Sequence, residues 1–246
     1  MSENKQVALI TGANKGIGFE TARQLGKLGI SVVVGSRDAA KGGAAAEKLA
    51  AEGIDARPLK LDVTQARDRD AAVKFIQDNF GKLDILVNNA GIAEEGGWGK
   101  NTTSSTSAET LQKTFETNLF APVALTQALL PLIRKSSAGR IVNLSSILAS
   151  NTLHSDPKSP IYNSKAFAYD ASKSALNAFT IHLAHELQNT NIKVNSAHPG
   201  WVKTDMGTDA APMEIPEGAK TSVALATLPQ EGPSGAFIHL GKTPPW

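Results

Sequence analysis

The sequence predicts an α/β fold: a doubly wound, parallel, seven-stranded sheet with helices on both faces. Three observations carry this. Short apolar runs alternate with stretches of helical periodicity from Val7 to Leu240, the pattern of parallel strands joined by crossover helices. The first run passes directly into a glycine-rich turn and then a helix. The 246 residues, 41% hydrophobic and 20% charged, suit one domain over 1–246 with a substantial core.

Val7-Ala8-Leu9-Ile10 reads as a first strand buried on both faces. It runs into Thr11-Gly12-Ala13-Asn14-Lys15-Gly16-Ile17-Gly18, then a helix with Phe19, Ala22, Leu25 and Leu28 on its apolar face. Residues 31–35 form a second strand ending in Ser36-Arg37-Asp38, 39–52 an alanine-rich helix, and 56–61 a third strand ending at Asp62-Val63. Thr64 is placed as the N-cap of a helix with Val73, Ile76 and Phe80 inside. Residues 83–87 form the fourth strand, which enters Asn88-Asn89-Ala90-Gly91. A Gly/Ser/Thr-rich loop, 92–107, is either a lid or a connection. Residues 108–134 read as one long helix, 139–145 as the fifth strand and 147–166 as irregular. The rest reads as a helix at 167–187, a strand at Lys193–Ala197, a helix at 215–228 and a seventh strand at 236–240.

A strand, a glycine turn and a helix suit a phosphate group. Missing Cβ atoms let the backbone approach, and the first helical N–H groups face the anion. The spacing here is G-x-x-x-G-x-G, and a plain turn is the competing reading. At the end of the second strand an acid suits a free ribose 2′-hydroxyl and an arginine a 2′-phosphate. Arg37 and Lys15 both lie within reach of such a phosphate, or are solvated surface charges.

Tyr169 and Lys173 are four positions apart, so both leave one face of their helix. An ordinary phenol, with a pKa of about 10, is a poor proton donor near neutrality. A neighbouring cation lowers that value by roughly 1–3 units. The pair then makes a general acid for carbonyl reduction or a base for alcohol oxidation. A surface lysine beside a half-buried tyrosine gives the same pattern.

Other chemistries are excluded or set aside. The net charge of +2, with no long run of one sign, offers no nucleic-acid surface. With no cysteine there is no disulfide, thiolate nucleophile or cysteine metal site, and no metal is expected. A polar start and the lack of a long apolar run lead us to expect a cytoplasmic protein with no membrane partner. His182, His185 and Glu186 do not match the zinc-protease order. His198 either touches a cofactor or packs behind its strand end. Tyr162, followed by Ala166 at the fourth position, is no rival to Tyr169.

Taken in order, Thr11 to Gly18, Asp62, Asn88 to Gly91, Asn118, Ser146, Tyr169 with Lys173, and Pro199-Gly200 resemble the short-chain dehydrogenase/reductase family over essentially the whole chain. The first of these stretches, Pro199 to Met206 and the terminal Trp246 resemble the NADPH-using carbonyl reductases in particular. The resemblance implies a Rossmann-like fold and reduction of ketones or aldehydes with NADPH. Tyr169 would be the proton donor, Lys173 would depress its pKa and bind the nicotinamide ribose, Ser146 would bind the substrate oxygen, and Asn118 would hold a relay water. Gly12, Asn14, Lys15, Gly16, Ile17, Gly18 and Arg37 would bind the phosphates, and Asp62 and Val63 the adenine. Asn89, Ala90, Gly91, Pro199, Gly200, Val202 and Thr204 would line the remainder of the cofactor. Ser145 competes with Ser146, because strand neighbours point opposite ways; the family position favours Ser146. The 146–169 segment is longer than usual for the family, yet shorter than in those carbonyl reductases. The alternatives are an NAD-dependent alcohol dehydrogenase and a non-catalytic nucleotide sensor.

Trp98, Leu148, Leu153, Tyr162, Phe167, Trp201 and Met206 are candidate walls for a hydrophobic carbonyl substrate. Ala171, Ser174, Ala175, Ala178, His182 and His185 form a helix face poor in Lys and Glu. Something should cover it: a second copy of the chain, making a homo-oligomer, or the chain's own 147–166 segment in a monomer.

Overall fold

The computed structural model describes residues 5–96 and 103–246. Seven strands, β1 (Val7–Ile10), β2 (Ser31–Ser36), β3 (Ala56–Lys60), β4 (Ile85–Asn88), β5 (Arg140–Leu144), β6 (Lys193–Ala197) and β7 (Phe237–Ile238), form one sheet. Its order is β3-β2-β1-β4-β5-β6-β7, and every pairing is parallel. The helices are α1 (Gly16–Lys27), α2 (Ala39–Ala51), α3 (Ala66–Phe80), α4 (Ala108–Phe115), α5 (Ala121–Ile133), α6 (Asn151–Ser155), α7 (Phe167–Glu186) and α8 (Ile215–Ala226).

Successive residues of a central strand feed opposite core layers, which is why these strands are continuously apolar. Leu9, Leu86 and Ile141 pack with Leu125, Leu129 and Leu183 on one face. Ile10, Val32 and Val142 pack with Leu25, Leu49 and Leu225 on the other. Strand order reverses between β1 and β4, so the crevice beyond their carboxyl ends is the topological switch point where this architecture takes ligands. A buried polar ladder fixes α7 against those ends. Asn88 Nδ2 donates to Asn143 Oδ1 at 2.8 Å, Asn143 Nδ2 to Thr180 Oγ1 at 2.9 Å, and Thr180 and Ser196 hydroxyls share a bond of 2.8 Å.

Several local readings need correction. The helix at 108–134 is not continuous: a single π-helical turn, Glu116–Phe120, separates α4 from α5. Gln65, not Thr64, is the N-cap of α3, because the Thr64 hydroxyl donates to Asp62 Oδ1 at 2.7 Å. Leu28 lies past the end of α1 and is exposed. The 147–166 segment includes a 3₁₀ turn, Ile147–Ala149, and the short α6. A 3₁₀ turn, Thr103–Ser105, also stands within the region read as loop.

Candidate active site

The turn after β1 has the conformation its glycines permit. Gly12 and Gly16 adopt φ of +62° and +59°, in the left-handed region. A Cβ on Gly12 would also meet Ala90 Cα at 3.1 Å, and one on Gly18 would strike the Asn89 side chain and the Gly12 carbonyl. Asn89 locks the two loops together by donating from Nδ2 to the carbonyls of Thr11 at 2.7 Å and Gly12 at 3.2 Å. Helix α1 begins at Gly16 with no side-chain cap and no acid in its first turn, leaving its N-terminal N–H groups for an anion. This donor set fits a dinucleotide pyrophosphate.

Around that turn the site residues separate. Asn14 and Ile17 lie within the turn and the start of α1. Arg37 is exposed just past β2, with no ion pair among the described residues. Lys15 is exposed too, but its ammonium is ion-paired with Asp205 across the mouth of the crevice. Asp38, the acid at the position that suits a 2′-hydroxyl, caps α2 by accepting the Lys41 N–H at 3.0 Å. Asp62 Oδ1 accepts the Thr64 N–H at 3.1 Å, and Val63 is buried beside it. Gly200 has a φ of +94°, following Pro199. Val202 is buried against Gly218 of α8, and Thr204 lies 3.7 Å from where a Cβ on Gly16 would stand.

Tyr169 and Lys173 share the first turns of α7, and both are buried. The Tyr169 hydroxyl is hydrogen-bonded to Ser146. Lys173 Nζ lies 5.7 Å from the Tyr169 ring centroid and donates to the Leu144 carbonyl at 2.7 Å. Gly91 makes room here: a Cβ on it would stand 3.3 Å from Asn118 Oδ1 and 3.4 Å from Lys173 Nζ. It is Ser146 that meets the Tyr169 hydroxyl, whereas the buried hydroxyl of Ser145 has no hydrogen-bond partner among the described residues.

Electrostatics shift the phenol in the direction opposite to that expected from a neighbouring cation. Burial pushes Tyr169 up to about 12; the bond from Ser146 opposes this, and the Asp170 charge adds to it. Burial brings the Lys173 ammonium down to about 8. Desolvation disfavours the charged form of each and is the largest cause of both shifts. The neutral phenol is thus the resident form at neutral pH.

Asn118 is fully engaged. Its Oδ1 accepts the Ile92 N–H at 2.9 Å, and its Nδ2 donates to the Ile92 carbonyl at 2.9 Å and Ser172 Oγ at 3.0 Å. The π turn swings it toward α7, as such turns often do at functional sites.

Thr11 and His198, both named in the sequence but without this backbone-binding role, complete the frame. Thr11 Oγ1 accepts the N–H groups of Asn89 at 3.0 Å and Ala90 at 2.9 Å. His198 Nδ1 accepts from Ile147 N–H at 3.1 Å and Gly200 N–H at 3.3 Å, tying the serine turn to the Pro199-Gly200 bend. Burial and the nearby His239 hold His198 down at about 3, so it stays neutral. A polar residue after a strand was the only signal for either.

On the substrate side, Leu148 and Leu153 join Ile161, Ala166 and Tyr169 in a small apolar cluster. Tyr162, Phe167, Trp201 and Met206 are exposed, whereas Trp98 falls outside the described residues. The 147–166 segment covers only the upper part of the small-residue face, where Ser174 Oγ donates to the Ala149 carbonyl at 2.8 Å. Ala178, His182 and His185 remain exposed. Among the described residues no group of acids or histidines could hold a metal ion, and no helix is long and apolar enough to cross a membrane.

Comparison with known proteins agrees with this geometry. The short chain dehydrogenase family model matches residues 6–215. Mouse carbonyl reductase [NADPH] 1 is 34% identical, with 100% of both chains covered. (+)-Neomenthol dehydrogenase of Capsicum annuum is 33% identical over 94% of this chain and 95% of its own. The crystal structure of NADPH-bound carbonyl reductase from chicken fatty liver superposes with a TM-score of 0.85 at 28% identity, covering 99% of this chain and 100% of that one. With its parallel sheet, glycine turn and Ser146–Tyr169–Lys173 cluster, the chain belongs to the short-chain dehydrogenase/reductase family of oxidoreductases.

Proposed function

We propose that this protein is an NADPH-dependent carbonyl reductase that converts ketones or aldehydes to alcohols, with Tyr169 as general acid. The observation that carries the reading is the buried Tyr169 phenol, hydrogen-bonded to Ser146 and close to Lys173, at the carboxyl end of β5. NADPH, when bound, supplies the hydride. The uncapped start of α1 and the Gly12 to Gly18 turn hold its pyrophosphate, Lys15 and Arg37 its 2′-phosphate, and Asp62 and Val63 its adenine. Asn89 to Gly91, Pro199, Gly200, Val202 and Thr204 line the nicotinamide half. The relatives' names support this cofactor, and so does Asp38's engagement in capping α2.

Ser146 donates to the carbonyl oxygen, stabilising the charge that develops there. Tyr169 then transfers its proton to that oxygen. Lys173 orients the nicotinamide ribose and supports the phenolate left behind. The side chain of Asn118 is spent on Ile92 and Ser172, so it contributes by bracing α7. The exposed aromatic rim of Tyr162, Phe167 and Trp201 suits a hydrophobic carbonyl compound.

Tyr169→Phe tests the reading because it keeps the ring and removes only the acid. NADPH binding should survive, and kcat should fall by about 10²–10⁴. Turnover near the wild-type rate, measured as NADPH oxidation at 340 nm over ketones and aldehydes, would falsify the assignment.

A further inference from the structure

Helix α7 carries the catalytic pair, yet its own sequence does not cap it. The N-cap is Ala166, whose side chain offers no acceptor. The first N–H groups of a helix need partners, and an N-cap Ser or Asp normally accepts those of the second and third residues. Here that function comes from elsewhere in the chain. Glu95, 4% exposed, accepts the Ala168 N–H on Oε1 and the Tyr169 N–H on Oε2, both at 3.0 Å. Asp170 Oδ2 takes the N–H of the N-cap residue itself, Ala166, at 2.9 Å.

Glu95 lies on the segment that leaves β4 through Asn89, Ala90 and Gly91. That same segment is pinned to α7 a second time, through Ile92, Asn118 and Ser172, and Ser172 Oγ in turn donates to the Tyr169 carbonyl at 2.7 Å. Both main-chain polar groups of Tyr169 are therefore held by a chain of contacts from one loop, which also faces the cofactor crevice. A carboxylate at a helix N-terminus is further favoured by the helix dipole.

We propose that Glu95 is a positioning residue for the reaction: its bidentate grip on the Ala168 and Tyr169 N–H groups sets where the Tyr169 hydroxyl stands relative to Ser146 and to the substrate carbonyl. Errors of about 1 Å in such a group can cost on the order of 10² in rate, whereas cofactor contacts on β1 and β2 are remote from this cap.

The inference rests on the reading of Tyr169 as the acid. The test compares wild type, Glu95→Ala, Glu95→Gln and Tyr169→Phe, each as full chain with NADPH. In Glu95→Ala, kcat should fall by about 10–100-fold while KM for NADPH stays within about twofold. The primary isotope effect on kcat, read with NADPH deuterated at the transferred position, should rise as chemistry becomes limiting. Glu95→Gln keeps one carbonyl acceptor but turns an amide donor toward the other N–H, so it should recover part of the lost rate. If the Ala variant does not fold, the near-isosteric Gln variant decides alone, with an expected loss of about three- to tenfold and the same rise in isotope effect. A folded Glu95 variant with wild-type kcat and isotope effect, beside an inactive Tyr169→Phe, overturns the positioning role and leaves the function intact. An active Tyr169→Phe overturns both.

Discussion

Raising the pH past 8 should cost this enzyme its reductase activity well before Tyr169 itself ionises. Burial brings Lys173 down to about 8 and pushes Tyr169 up to about 12. With a midpoint of about 8, Lys173 is about nine-tenths charged at pH 7 and about one-tenth charged at pH 9. If the charged ammonium is what supports the developing phenolate, kcat/KM for the carbonyl falls about tenfold per pH unit above 8. Tyr169 remains protonated over the same range, so the alkaline limb belongs to Lys173. Lys173→Arg keeps its charge at all accessible pH and should move the limb upward, whatever the substitution does to the absolute rate. The matching direct measurement is a titration of the lysine side-chain NMR signals in cofactor-free enzyme, with Lys173 assigned by its loss in the Arg variant. A Lys173 midpoint near the ordinary lysine value, or an unchanged alkaline limb in Lys173→Arg, would refute the electrostatic argument.

Three further outcomes are expected. The wild type should favour NADPH over NADH by a factor on the order of 10² in kcat/KM. Lys15→Ala with Arg37→Ala should bring the two cofactors together through a higher KM for NADPH, while Asp205→Asn, which frees Lys15 from its ion pair, should lower that KM. Equal wild-type efficiency with both cofactors would sink this assignment. Ser146→Ala should lower kcat by about 10²-fold or more, and Ser145→Ala should leave it within about threefold; similar effects at both positions would mean the serines are misassigned. We also propose that the exposed lower face of α7, with Ala178, His182 and His185, is covered by a second copy of the chain, and light scattering should then show a dimer at micromolar concentration. A monomer there would mean that the 147–166 segment is all the cover this face receives.

Much of the fold was legible because its signals are local. The limits of β1, Val7–Ile10, coincide with an apolar run, since a strand buried on both faces leaves little room for polar residues. The long helix was misread at its middle because a π turn requires no special residue; packing of Asn118 against Ile92 and Ser172 holds it open. Thr64 looked like a cap, but the adjacent Asp62 carboxylate captured its hydroxyl.

The sequence by itself determined which residues can do chemistry. The four-residue spacing of Tyr169 and Lys173 and the glycines at 12, 16 and 18 follow from helix periodicity and missing Cβ atoms, and both hold without knowledge of the neighbours. The tertiary structure decided what state those residues are in and what holds them. It alone places Tyr169 where burial raises its pKa, assigns Asp38 to a cap and Lys15 to Asp205, and brings Glu95 and His198 onto backbone groups far away in sequence. The physical reason is that desolvation and long-range hydrogen bonds depend on which surfaces meet once the sheet has formed, and a residue's own neighbours in the chain carry no record of that.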